Sequence, residues 1–193
     1  MSDRPWTSHA VQWGLWVVVM SIVMGWLARA RRPAAVTERG RVLAHPPTTL
    51  VVGVVCTGFF VLIAVLAGIY AKPEDWWTSY AFLGFALLGA PLIGEALRVR
   101  HELRNEGIVY QGLWTRYATI TWREIESARW SASMKWLALR TRDGRVLRFS
   151  GMLNGLDSLA VVLSERVPNL NVDDVTATML ADARVGELPS IWA

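Results

Sequence analysis

Residues 49–71, TLVVGVVCTGFFVLIAVLAGIYA, contain no Asp, Glu, Lys or Arg. A helix needs about 20 such residues to cross roughly 30 Å of hydrocarbon, and helices are the only single-segment way to satisfy backbone polar groups there. Two further stretches, 10–28 (AVQWGLWVVVMSIVMGWLA) and 76–94 (WWTSYAFLGFALLGAPLIG), are equally free of charge. The character of the chain changes at Arg98, after which charged residues return and apolar ones alternate with polar ones as in strands. The first half reads as membrane and the second as a small domain tethered to it. A cleaved signal peptide carries its positive charge before the apolar core. Around 10–28 the order is reversed: Arg4 precedes it and Arg29, Arg31 and Arg32 follow, so this stretch is expected to remain as a span.

Basic residues orient the spans. Arg29, Arg31, Arg32, Arg39 and Arg41 crowd the segment 29–47, and Arg98, Arg100 and Arg104 follow the last stretch, whereas the connection around Lys72 has a single basic residue. Lys and Arg accumulate in cytoplasmic loops, which places 29–47 and the carboxyl half inside and the amino terminus outside, in the periplasm. Trp13, Trp16, Tyr70, Trp76, Trp77 and Tyr80 then fall at the outer interface, where amphipathic rings are favoured. Small residues recur at a spacing of four, Ser21 with Gly25, Ala64 with Gly68, and Ala86 with Ala90 and Gly94. Such faces let helices pack on one another, on a partner's helices or on a second copy of the chain. Pro91 is expected to kink the last span, and Glu95 to pair with Arg98 or lie exposed near the membrane surface. The single cysteine, Cys56, has no partner for a disulfide and reads as an apolar filler.

Beyond Arg98, MKWLALRT and RVLRFS read as two strands joined by Arg142-Asp143-Gly144, with Gly144 supplying the left-handed residue that a three-residue loop ends on. Pairing Thr141 with Arg145 sets Leu139 opposite Leu147 and Leu137 opposite Phe149 on one buried face, with Arg140 and Arg148 on the other. HELRNEGIVYQGLW and RYATITW supply three strands with turns at 105–107 and 114–116, and IESARWS supplies one more. Asn154 is positioned to cap a helix whose Leu156, Leu159, Leu163 and Val167 form an apolar stripe ended by Pro168. Residues 168–193 form an acidic tail, with a short helix from about Asp173 to Arg184 ended by Gly186.

The succession LRNEGIVYQGLW, RYATITWREIESARW, RTRDGRVLRF and a terminal amphipathic helix resembles the bacterial pleckstrin-homology-like (PH-like) domain. Members of that family are also found attached to transmembrane helices in small envelope proteins of unknown function. The resemblance covers residues 98–167 of the 193 and rests on Gly112, the Trp122–Ile125 step and the Asp143-Gly144 hairpin, which are architectural rather than catalytic. It implies a partly open antiparallel β-barrel closed at one end by the carboxyl helix. Phosphoinositide-binding relatives use an Arg-x-Arg on the second strand, where this chain has IVYQG. The fold class expected is an α+β membrane protein: transmembrane region 1–97 with spans near 10–28, 49–71 and 76–97, PH-like domain 98–167, and tail 168–193.

No motif specifies a reaction. His9, His45 and His101 lie in separate segments without metal-ligand spacing and are expected to be exposed or interfacial. No catalytic, cofactor-binding or metal-binding residue is assigned, and the chain is read as non-enzymatic. Residues 98–167 carry a net charge of +5, with no recognition module for nucleic acid. Arg98, Arg100 and Arg104 near the last span, and Arg140 with Arg148 on one strand face, are the candidate contacts for membrane lipids or a protein partner. Trp122 and Trp130 are assigned to the core, while Trp136 shares the face of Arg140 and is expected to pack on the sheet surface, the membrane or a partner. The function expected is an interaction module on a multi-pass inner-membrane protein. The alternative is an accessory subunit of a larger transporter or envelope enzyme, assembled through the helices.

Overall fold

A computed structural model of the protein describes residues 14, 17–18, 21–22, 25–26, 32–38, 40–70, 72–115 and 117–187. The span expected at 10–28, with His9, lies largely outside the described residues. The other two apolar stretches form helices α1 (Pro47–Tyr70) and α2 (Trp77–Arg98), 24 and 22 residues long. At 1.5 Å per residue each exceeds about 30 Å. Both are long and apolar enough to cross a membrane. Most of their apolar surface is left uncovered: Val55, Leu62 and Ile69 of α1 and Leu87 and Leu88 of α2 point outward. Lys72, a 3-10 turn at Pro73–Asp75 and Trp76 complete the connection between them. Tyr70, Trp76, Trp77 and Tyr80 are exposed around that turn, with the Trp76 and Tyr80 rings meeting edge-on at 5.5 Å.

The two helices pack through small residues. A Cβ on Gly53 would lie 2.9 Å from Ile93 Cγ1, and one on Gly89 would collide with Thr57 Oγ1. Ala64 and Ala86 are buried at the same crossing. The expected spacing of four on α2 is corrected, since Ala90 is exposed and Gly89 takes its place. The contact line advances by three and four alternately, as a 3.6-residue repeat requires. Gly94 faces no helix and instead touches Leu113. Helix α2 runs on through Pro91.

The remaining strands make two sheets. The first is antiparallel in chain order: β1 (Ala35–Thr37), β2 (Gly40–Ala44), β3 (Arg100–Leu103), β4 (Gly107–Tyr110) and β5 (Ala118–Thr121). The second contains β6 (Ile125–Ser131), β7 (Trp136–Thr141), β8 (Val146–Ser150) and β9 (Asn171–Val172), in the order β8-β7-β6-β9, with β9 parallel to β6. In the β7–β8 hairpin Leu137 faces Phe149 and Leu139 faces Leu147. Gly144 has φ +86°, and Thr141 N–H donates to Arg145 O at 2.9 Å, so the loop is the expected three-residue one.

The β-domain draws on more chain than residues 98–167. Strands β1 and β2 come from the basic segment before α1, and Leu43 of β2 is fully buried in the core. Beyond Pro168, β9 adds to the second sheet and helix α4 (Asp174–Arg184) buries Met179 and Ala183 against helix α3 (Leu156–Arg166) and β6. Residues 168–187 of the acidic segment are therefore an integral part of the domain. Asp173 caps α4 by accepting from Thr176 N–H, and its carboxylate pairs with Arg129 at 2.8 Å. Ile108, Ile120, Leu137, Leu139 and Phe149 of the two sheets close on Leu156, Leu159 and Leu163 of α3. Each side chain of this size contributes about 1.5–3 kcal/mol on full burial.

Asn154 does not cap α3, contrary to its expected role. The residue at the cap is Gly155, with φ +84°. Asn154 Oδ1 instead accepts Arg32 N–H at 2.8 Å.

Candidate membrane-junction site

The helical hairpin is inserted between two adjacent strands of one sheet. β2 and β3 pair through Arg41↔Leu103, Val42↔Glu102, Leu43↔His101 and Ala44↔Arg100. His45 and Pro46 alone separate β2 from α1, and Val99 alone separates α2 from β3. Val99 N–H still bonds Glu95 O at 3.0 Å, so even this residue is tied to the helix. At about 3.3–3.6 Å per extended residue, such links leave no room for the sheet to move away from the helix ends. Both helices leave the sheet from the edge marked by Ala44 and Arg100.

At that edge the two links bury a polar cluster. His101 is 1% exposed, stacks on Tyr110 at 4.5 Å and meets Phe149 edge-on at 4.8 Å. Its Nδ1 accepts Gln111 N–H at 3.3 Å, which makes the neutral ring the Nε2–H tautomer. That Nε2 has no hydrogen-bond partner among the described residues, and neither has Nδ1 of His45, which is 8% exposed. His45 Nε2 lies 3.7 Å from the Glu95 carboxylate. Tyr110 Oη donates to Arg148 O at 3.2 Å, linking the two sheets beside the histidines. Burial lowers the His45 pKa to about 4, and burial together with repulsion from His45 lowers that of His101 to about 3. Desolvation raises the Tyr110 phenol above its ordinary value. The imidazoles are therefore neutral at pH 7.

Two expectations are corrected here. His45 and His101 are buried rather than exposed, and Glu95 faces His45 rather than Arg98, while its side chain keeps 41% of its exposure, in line with the other expectation for it. For His101 the signal was parity, because Val99, His101 and Leu103 alternate onto one face and all three are buried. His45 carried no such signal; only the pairing of β2 with β3 brings it near His101. Among the described residues, no group of three His, Cys, Asp or Glu side chains is placed to hold a metal ion.

The charged and aromatic candidates divide between two surfaces. Arg98 and Arg100 are exposed beside the helix exit, whereas Arg104, at the far end of β3, is held by Glu102 through an Nε–Oε2 bond of 3.0 Å. On the outer face of β7 and β8, the Arg148 guanidinium lies over the Trp136 ring at 5.1 Å, with Arg140 exposed on the same face. This stacking accounts for Trp136. Trp122 is buried, and its Nε1 donates to Arg104 O and Asn105 O, both at 3.1 Å. Trp130 is half-buried against α4.

Comparison of the chain with protein-family models, with curated proteins and with solved structures finds no match.

Proposed function

We propose that the protein is a non-enzymatic, multi-pass inner-membrane protein whose PH-like β-domain lies on the cytoplasmic side and acts as an interaction module for proteins or lipid headgroups. The observation that carries this reading is the insertion of α1 and α2 between β2 and β3, which holds a basic, sheet-rich domain against the helix ends through links of two residues and one. Strands β3–β5, then β6–β8, then the core-packed α3 follow the order that the PH-like resemblance implies. Arg98 and Arg100 lie exposed on the helix-exit side, in keeping with a cytoplasmic placement. Arg98 and Arg100 are suited to anionic headgroups, at about 1 kcal/mol for each side chain that reaches them. The Trp136, Arg140 and Arg148 face, with one guanidinium already ordered on an indole, is suited to an acidic protein surface.

The test is affinity capture of the full chain from detergent-solubilised membranes, alongside reporter fusions after residue 187. A cytoplasmic reporter signal and a stoichiometric partner that is lost in a W136A/R140A/R148A variant support the module. A partner retained by that variant but lost when Phe59 and Leu62 of α1 are changed to alanine supports assembly through the helices instead. A periplasmic reporter signal overturns the orientation.

A further inference from the structure

We propose that the β4–β5 loop is a second membrane contact of the domain, inserting Trp114 and Tyr117 into the headgroup–acyl boundary beside the end of α2. Three observations converge on it. Antiparallel alternation sets the height of the loop: β3 starts at the helix exit, β4 returns to that edge, and Tyr110↔Ala118 closes the pair there, so residues 111–115 and Tyr117 hang from the edge that carries α1 and α2. A side-chain contact fixes its place: a Cβ added to Gly94, in the last turn of α2, would meet Leu113 Cδ1 at 2.8 Å. Leu113 also packs against the domain core, so it pins the loop to the helix.

The third observation is exposure. Trp114 is 90% and Tyr117 73% exposed, and on α2 one turn beyond Gly94 Leu97 is 60% exposed. An indole and a phenol exposed together in one short loop suit the membrane interface, where such rings bury their apolar bodies and keep their polar atoms wet. The occupant is the bilayer, because the loop is continuous with the apolar surface of α2. Leu113 Cδ1 fills the space beside Gly94, so a side chain at position 94 would have to displace it. With the loop inserted, the sheet is held at a third point besides the His45-Pro46 and Val99 links, which fixes its tilt as well as its height.

The proposal rests on α1 and α2 crossing the bilayer, and the experiment separates the two claims. The full chain is placed in phosphatidylcholine nanodiscs containing lipids spin-labelled either at the headgroup or deep in the acyl chain. An environment-sensitive nitrobenzoxadiazole label is attached to native Cys56 within α1, or, in a C56S background, to W114C, Y117C or E106C. Glu106 lies in the β3–β4 turn at the opposite edge of the sheet and is exposed. The expected result is blue-shifted emission at positions 114 and 117 with loss of intensity to the headgroup quencher, strong loss to the deep quencher at Cys56, and solvent-like, unquenched emission at 106. Emission at 114 and 117 matching that at 106, with Cys56 quenched, overturns the loop insertion. An unquenched Cys56 overturns the spanning helices, and the proposal with them.

Discussion

Asn154 Oδ1 accepts the backbone N–H of Arg32 at 2.8 Å, while Asn154 N–H donates to Ala44 O at 2.9 Å and Gly155 N–H to Arg32 O at 3.1 Å. One residue at the start of α3 thus clasps both ends of the β1–β2 segment. Helix α3 is locked to strands that precede the α1–α2 hairpin. Gly155 is part of the clasp: it adopts φ +84°, and a Cβ there would lie 2.6 Å from Ala34 Cβ.

The clasp predicts an order of effects. N154A removes one side chain to backbone bond and is expected to cost about 1 kcal/mol. G155A adds left-handed strain of about 1–3 kcal/mol and a steric clash, so it should be the more damaging change. Thermal unfolding of the full chain in detergent, followed by near-ultraviolet circular dichroism, checks this; equal midpoints for N154A and wild type would contradict the clasp.

The buried histidines predict acid sensitivity. Unfolded imidazoles bind protons below about pH 6.5, while His45 and His101 stay neutral in the fold down to about 4 and about 3. The unfolded state therefore holds more protons as pH falls through this window, and stability is lost with it, by up to about 1.4 kcal/mol per pH unit for each histidine. Denaturant midpoints measured from pH 7.5 downward should fall in this range. The H101F variant, which keeps a ring against Tyr110, should show a shallower slope, and a slope unchanged from wild type would rule out His101 as a source.

Trp122 is expected to matter both as volume and as donor. W122F retains most of the packing but leaves Arg104 O and Asn105 O without the indole N–H, at a cost of about 1 kcal/mol. W122A adds a cavity and should cost about 3–5 kcal/mol. Urea titration resolves the two, and a W122F loss as large as that of W122A would show that the hydrogen bonds outweigh the packing.

Glycines in the helices should separate by position. Gly53 and Gly89 lie where α1 meets α2, whereas nothing lies within 4 Å of a Cβ placed on Gly84. G53L and G89L should part the hairpin and lower its thermal stability in detergent, and G84L should leave it unchanged. Sensitivity at Gly84 equal to that at Gly89 would mean that another helix covers that face.

Much of the local structure was legible in the chain. The β7–β8 register followed from matching Leu137 and Leu139 with Leu147 and Phe149, because a slip of one residue would turn arginines into the core. Strands β3–β6 followed from alternation and glycine turns, and α4 from Asp173 and Gly186. β1 and β2 were not legible: TERGRVLA is short and arginine-rich, and its one deeply buried apolar side chain, Leu43, carries no period. The same gap hid the site, since His45 meets His101 only through β2.

By itself the sequence determined which segments are apolar enough for a membrane, where strands alternate, and how the β7–β8 hairpin closes. These are properties of neighbours along the chain, decided by period, charge and turn chemistry. Only the tertiary structure decided that residues before α1 complete the sheet begun after α2, that two histidines distant in sequence are buried near one another, and that Leu113 seats against Gly94. The first two of these pairings cross the helical hairpin, and the free energy of all three comes from backbone bonds and burial between segments whose local patterns do not refer to one another.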